Sequence, residues 1–224
     1  MLIAEHIAAI RGLIKGYSET DTPYSDEFLY HLFTSAAARL IRQREEKNHN
    51  LSDWNTPLYA IKLEVDTIHG YGCLPGCNVL RTKYKIPKPV TARSKDLLKV
   101  FTLGMEEIRY INPSDNKAIQ YDEIYKNKLH YSIINEYVYI WNGDTVNITP
   151  RAVLISGYFT DPSAWSDVTT CTTTGEETNE PCFDINTTEY PLDDDLAYVA
   201  YQLTLDLLRI TLQIPDDRIN QQKV

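Results

Sequence analysis

The stretch HGYGCLPGCN, residues 69–78, contains the side chains best suited to metal or redox chemistry. His69, Cys73 and Cys77 form an H-x3-C-x3-C pattern. A structural zinc site needs four ligands, and here the second pair would be Cys171 and Cys182, which lie far apart in a polar segment. A redox dithiol is typically C-x-x-C at a helix start, and this pattern has neither feature. The glycines and Pro75 therefore favour a turn with partly buried thiols, with no metal ligand and no cofactor.

The remaining polar residues show no convergent catalytic pattern. The sequence contains no G-x-S-x-G, no G-x-x-x-x-G-K-[ST] and no G-x-G-x-x-G. Asp193, Asp194 and Asp195 are typical of the start of a helix, because the helix dipole favours negative charge there. We expect no catalytic residue and no enzymatic activity. The alternative from another class is a hydrolase that uses scattered carboxylates with His69 or His130.

Composition indicates a globular protein that is not a dedicated nucleic-acid binder. The chain has 224 residues, is 43% hydrophobic and carries a net charge of −9. Binding to phosphates requires clustered Lys and Arg, whereas the densest basic run, residues 81–85, is short. The 16 tyrosines fit a protein with extensive interfaces. No apolar run is long enough for a membrane span, and the N-terminus lacks a signal-peptide core, so we expect a protein made in the cytoplasm.

The elements that position these residues begin with a helical hairpin at residues 1–50. Four isoleucines share one face of the first helix: Ile3, Ile7, Ile10 and Ile14. Ser25 is the predicted N-cap of the second helix, whose apolar stripe extends from Phe28 to Ile41.

The spacing of the apolar residues then changes to the two-residue alternation of β-strands, which predicts a β domain at residues 51–162. Tyr59, Ile61, Leu63 and Val65 alternate with polar residues, as in a half-buried strand. Further strands are predicted at Val100–Leu103, Glu107–Ile111, Ala118–Tyr121, Tyr131–Trp141 and Val153–Phe159. Asn142-Gly143 follows the longest of these and predicts a hairpin. Short connections favour an antiparallel small barrel or sandwich.

The C-terminal part consists of a polar loop or inserted arm at 163–189 and a helix with a tail at 190–224. Thr170–Thr174 could add a short strand to the loop. The helix carries an apolar seam, which we predict as a subunit interface together with Asn142 and Gly143: Leu196, Val199, Leu203, Leu207 and Ile210. We expect a helix this apolar to be buried against more than one neighbour, either within the chain or between subunits. The predicted class is α+β, folded as one unit.

Four passages in order resemble a known family. They are a helix from Tyr24 to Ile41, CLPGCNVLRTKYKIPKPV from Cys73 to Val90, VLISGYFTDP from Val153 to Pro162, and a last helix followed by IPDDRIN. Together they resemble the head-to-tail connector (ring or adaptor) proteins of tailed bacteriophages, most closely those of crAss-like phages with podovirus-type tails. The segment from Asp161 to Glu189 departs from the compact family pattern and would be a loop reaching an adjacent ring.

The resemblance implies a non-enzymatic virion protein. Its copies would form a ring of about a dozen below the portal, with DNA passing through the lumen without specific binding. The implied partners are other copies, the portal protein and adjacent tail or ring proteins, with no membrane. The alternative within the virion is a tail-tube or capsid-associated protein.

Overall fold

The computed structural model describes the following residues: 1–17, 24–47, 56–67, 78–93, 95–115, 128–141, 151–166, 168–171, 177–181 and 183–211. Three helices lie in these ranges: α1 (Ile3–Tyr17), α2 (Asp26–Glu46) and α3 (Asp194–Thr211). All four predicted isoleucines of α1 are buried. The Ser25 hydroxyl caps α2 by accepting a hydrogen bond from the Phe28 amide at 3.2 Å. The three helices pack against one another, with α2 in contact with both others.

Most of the strands form a closed barrel. The strands are β1 (Leu58–Thr67), β2 (Asn78–Thr82), β3 (Thr91–Ala92), β4 (Lys95–Asp96), β5 (Leu98–Thr102), β6 (Glu107–Tyr110), β7 (His130–Ile134), β8 (Tyr137–Trp141), β9 (Ala152–Gly157), β10 (Thr169–Cys171) and β11 (Glu177–Pro181). The order around the barrel is β1-β2-β8-β7-β6-β5-β9, while β3–β4 and β10–β11 form separate two-stranded sheets. Of the two predicted architectures, the barrel is therefore the one observed.

β1 closes the barrel because its two halves pair with different strands. Residues 58–62 pair with β9, and residues 63–67 pair with β2. The predicted alternation is confirmed at Tyr59, Ile61 and Leu63, which are all buried, but it is wrong at Val65, which is 64% exposed. Their side chains join a core that continues between the barrel and the helices.

The barrel is not wholly antiparallel, which corrects one part of the expectation. β6 and β7 pair in parallel, with Arg109 opposite His130, while every other neighbouring pair in the barrel is antiparallel. Parallel neighbours need a long crossover rather than a tight turn. Residues 111–129 supply that length here.

Several details of the strand prediction were wrong. Tyr131–Trp141 is not one strand but the β7–β8 hairpin, which turns at Asn135 and Glu136 with φ of 51° and 69°. Positive φ at both central residues fits a tight hairpin turn, although only Asn is a common residue there. β2, β3, β4 and β11 were not predicted. Ala118–Tyr121 and Asn142-Gly143 lie outside the described residues.

The described part of the 163–189 segment connects the barrel to the helices. Trp165 is fully buried and stacks on Tyr59, with ring centroids 4.9 Å apart. Near α1, the Ala4 amide donates to the Ile185 carbonyl at 3.1 Å, and the Ile3 amide donates to the Thr188 carbonyl at the same distance. These contacts fix the position of α1 relative to the chain that leads into α3.

Candidate assembly surfaces

One face of α3 packs into the protein core. Its buried residues recur at helical spacing: Ala197, Ala200, Tyr201, Thr204, Leu205 and Leu208. The small residues Ala197 and Ala200 allow close packing against α1 and α2. The Thr204 hydroxyl donates to the Ala200 carbonyl at 2.7 Å, so this buried polar group is satisfied within the helix.

The opposite side of α3, which we call the outer face, combines apolar and acidic side chains. Tyr198 is 62% exposed and Val199 is 42% exposed. Asp195 and Asp206 are also exposed. Residues 195, 199 and 206 share one side of the helix because they are spaced by four and seven residues. Tyr198 and Val199 are neighbours, and contiguous exposed apolar surface, unlike a single exposed apolar side chain, is typical of interaction sites.

The predicted interface residues lie along and beside this outer face. Val199 belongs to it. Leu196 and Leu203 are half-buried and pack against the edge of the core. Leu207 is also half-buried, and the side chain of Ile210 lies outside the described residues, as do Asn142 and Gly143. The hydrophobic spacing pointed to the border of the face but missed the exposed Tyr198, Asp195 and Asp206.

The N-terminus of α3 is negatively charged and attached to α2. Arg44 Nη1 lies 2.8 Å from Asp193 Oδ2 and 3.7 Å from Asp195 Oδ1. An open depression beside this end is lined in part by Glu189 and Asp194, which add further carboxylates. Three successive aspartates at a helix N-terminus are stabilised by the helix dipole. This end of the protein therefore presents fixed negative charge.

A buried histidine holds the three helices together. His6 Nδ1 lies 2.7 Å from the Tyr201 hydroxyl, and its ring stacks on Phe33 with centroids 4.8 Å apart. Burial, helped by the nearby N-terminal amino group, lowers the pKa of His6 to about 4, so the imidazole is neutral at pH 7. Burial also raises the pKa of the Tyr201 hydroxyl. This polar contact joins α1 to the buried face of α3.

The densest basic run of the sequence, residues 81–85, is largely neutralised on the outside of the barrel. Arg81 Nη2 lies 2.7 Å from Glu64 Oε1, and its Nε lies 3.4 Å from Asp66 Oδ2. Lys85 Nζ lies 2.9 Å from Glu136 Oε2. Since its charges meet carboxylates of the same chain, this surface is poorly suited to binding phosphates.

The residues considered for chemistry do not come together in the described part of the chain. His130 is 1% exposed within the barrel wall, and burial lowers its pKa. Cys171 lies in β10, while His69, Cys73, Cys77 and Cys182 lie outside the described residues. Within the described ranges, no three His, Cys, Asp or Glu side chains are grouped as metal ligands would be. No helix in those ranges has the length and apolar character needed to cross a bilayer.

Comparison with models of known protein families gives a match over nearly the whole chain. A family model of crAss-like phages, described as phage tail ring protein 2, matches residues 7–223. The match covers most of α1 and all of α2, the barrel and α3. A search of curated proteins finds nothing that matches the chain.

Proposed function

The chain belongs to the phage tail ring protein 2 family of crAss-like phages, and from this premise we propose that its copies form a closed ring that connects the portal to the tail. Members of this family are structural proteins of the virion. The proposal has three parts: the ring lies below the portal, it contains about twelve copies, and DNA passes through its lumen. The proposed partners are the portal protein and the neighbouring tail or ring proteins.

The observation that carries the proposal is the outer face of α3. Tyr198 and Val199 are exposed on a helix whose other side is firmly held by the core. A rigid helix that displays an aromatic and an aliphatic side chain next to half-buried leucines provides the apolar centre of a subunit contact. The predicted interface residues along this helix therefore remain our proposal for the ring contact.

The charge of the chain supports a lumen that does not retain DNA. The net charge is −9, and much of the basic run at 81–85 is paired within the chain. Unpaired Lys and Arg along a channel would hold the phosphate backbone through release of counterions. A ring of this chain would instead let DNA slide without specific binding.

The experiment is negative-stain electron microscopy of purified virions and of the protein mixed with purified portal. We expect ring-shaped particles, with this protein located by specific labelling between portal and tail. A label on the tail tube or on the capsid shell would contradict the proposed position. A protein that stays monomeric in the presence of both portal and tail components would contradict ring formation itself.

A further inference from the structure

The turn between β5 and β6 carries a methionine where its backbone favours glycine. The loop residues are Leu103, Gly104 and Met105. Two backbone hydrogen bonds close the loop: the Met105 amide donates to the Thr102 carbonyl at 3.0 Å, and the Thr102 amide donates to the Glu106 carbonyl at 2.9 Å. In three-residue hairpin loops the last residue commonly adopts the left-handed conformation, which favours glycine. Here that residue is Met105, with φ of 65°.

The glycine of this turn lies one position before the place where it would relieve the strain. The φ of Gly104 is outside the left-handed region, and a Cβ built there would lie 3.6 Å from the Thr102 hydroxyl oxygen, an ordinary van der Waals distance. Position 104 therefore accepts a side chain, whereas a side chain at position 105 is strained. The reverse order of the two residues would suit the fold better than the order that the sequence has.

The other positive-φ residues of the described chain, apart from glycines, have a local explanation. They are Arg93, Asn135 and Glu136. Asn adopts this conformation more readily than most residues. Arg93 Nη2 donates to the Glu46 carbonyl at 2.7 Å, and the Glu136 carboxylate forms an ion pair at 2.9 Å. Met105, by contrast, is 57% exposed and lies outside the described hydrophobic core.

The side chains at the tip of this turn are suited to a contact with another protein. Strained backbone positions are concentrated at functional contacts, where a partner gives the strained residue its use. Methionine is unbranched and adapts to apolar pockets of irregular shape. Glu106 and Glu107 follow directly and are exposed, and neither forms an ion pair with another described residue. The tip therefore presents one apolar side chain beside two carboxylates.

Two depressions on this chain are poor receptors for such a tip. The cavity beside Tyr59 and Phe159 has a volume of about 10 Å³, enough for about one water molecule but not for a methionine side chain. The wider depression at the start of α3 is lined in part by Glu189 and Asp194, whose carboxylates would repel the two glutamates of the tip. Size and charge therefore favour a receptor on a different protein.

We propose that the β5–β6 turn inserts Met105 into an apolar pocket on a neighbouring protein of the tail that is not a copy of this chain. Lys or Arg side chains at the rim of that pocket bind Glu106 and Glu107. Burial of the thioether side chain in the assembled particle offsets the backbone strain that the single chain carries. This contact rests on the proposed position of the ring among other tail proteins, and it specifies one attachment there.

Oxidation of methionine tests the burial directly, because Met1 and Met105 are the two methionines of the chain. In the single chain they are 49% and 57% exposed, respectively. Free protein and purified virions are treated with hydrogen peroxide, and mass spectrometry follows the sulfoxide at each position. We expect Met105 to be oxidised about as fast as Met1 in the free protein and about tenfold or more slowly in the virion. Equal rates at Met105 in the two samples would overturn the proposal.

Photochemical crosslinking identifies the occupant. Photo-methionine at position 105 keeps a flexible apolar side chain and reacts with whatever surrounds it on illumination. In assembled virions we expect a crosslink from position 105 to a different virion protein. A crosslink from this position to another copy of the chain would overturn the proposed occupant.

An exchange variant, Gly104→Met with Met105→Gly, separates folding from attachment. Relief of the strain should raise the melting temperature by about 2–4 °C. Displacement of the thioether should lower the amount of the chain in purified virions by about tenfold or more. Glu136→Gly is the matched control, because it relieves the same kind of strain in the β7–β8 turn and should leave incorporation unchanged.

Normal incorporation of the exchange variant would contradict the attachment through Met105. If the unaltered protein forms no ring, the proposed function fails instead. If it forms rings in the virion while Met105 stays open to peroxide, the ring stands and this contact alone is wrong.

Discussion

At the scale of single residues, His6 makes the stability of the helical layer depend on pH. Its pKa is about 4 in the folded protein and about 6.5 in the unfolded chain. Below pH 6.5 the unfolded chain binds a proton that the folded protein does not, so acid favours unfolding. The contribution of His6 to stability is complete above pH 6.5 and is lost as the pH falls towards 4.

We therefore expect a pH-dependent difference between the unaltered protein and His6→Gln. Between pH 7.5 and pH 5 the free energy of unfolding of the unaltered protein should fall by about 2 kcal/mol more than that of His6→Gln. Urea unfolding at the two pH values measures this difference. His31→Gln is the control because His31 is half exposed. Equal pH dependence in His6→Gln and the unaltered protein would contradict the role of His6.

A second residue-scale prediction concerns a buried serine on the outside of the barrel. Ser132 is fully buried, accepts a hydrogen bond from Trp141 Nε1 at 3.0 Å and donates to the Ile111 carbonyl at 2.7 Å. Ser132→Ala should lower the free energy of unfolding by about 1–3 kcal/mol, because two buried groups lose their partner. Ser35→Ala, at an exposed position of α2, should change it little. Tryptophan fluorescence during urea unfolding compares the two.

Neither His6 nor Ser132 could be identified from the sequence. Their importance comes from partners 195 and nine residues away, respectively, which only the fold brings together. By contrast, the charge of Asp193–Asp195 could be interpreted locally, because the helix dipole acts within one turn. Chemistry at Cys73 and Cys77 was judged by spacing alone, and that prediction stays untested.

At the scale of elements, alanine substitutions at two glycines test two different effects, close backbone packing in the barrel and helix propensity in α1. A Cβ at Gly157 of β9 would lie 2.6 Å from the Leu97 carbonyl oxygen, whereas a Cβ at Gly12 of α1 meets nothing within 4 Å. Gly157→Ala should destabilise the barrel by about 3 kcal/mol or more, since the neighbouring backbone at Leu97 must shift. Gly12→Ala should stabilise α1 by about 0.5–1 kcal/mol. Thermal unfolding of both variants should show shifts of opposite sign, and a stable Gly157→Ala would contradict the close approach.

The outer face of α3 gives a prediction about assembly rather than folding. Val199→Asp should abolish ring assembly with portal while leaving the melting temperature nearly unchanged, because Val199 is exposed in the single chain. Leu58→Asp is the matched control, since Leu58 is a similarly exposed apolar residue on the barrel. Electron microscopy and thermal melting measure the two effects. Normal assembly of Val199→Asp would contradict the contact.

Elements with a regular spacing of apolar residues could be predicted from the sequence, whereas elements defined by pairing with other strands could not. The 3.6-residue pattern of α1 and the two-residue alternation of β1 each follow from burial of one face. β2 has no such pattern, because its five residues are selected by pairing with β1 and β8. The turn at Asn135–Glu136 was missed because the apolar residues on either side read as one continuous strand.

At the scale of the whole molecule, the α+β class followed from the order of the elements and the family resemblance from four passages of sequence, and both are confirmed by the fold and the family match. The barrel could not be distinguished from a sandwich, because closure depends on β1 pairing with β2 and β9 at once. Assembly depends on which surfaces face outward. The apolar seam of α3 predicts a subunit contact along this helix, and that prediction stays untested; the exposure of Tyr198 emerges only in three dimensions.

The most direct test of the account is a cryo-electron microscopy map of the assembled tail at side-chain resolution. We expect a closed ring of this chain around the channel, with its copies related by rotation about the tail axis. Tyr198 and Val199 of each copy should be buried against a neighbouring copy. A map in which the copies meet as two-fold dimers, or in which the outer face of α3 is exposed to solvent in the assembled particle, would contradict the account.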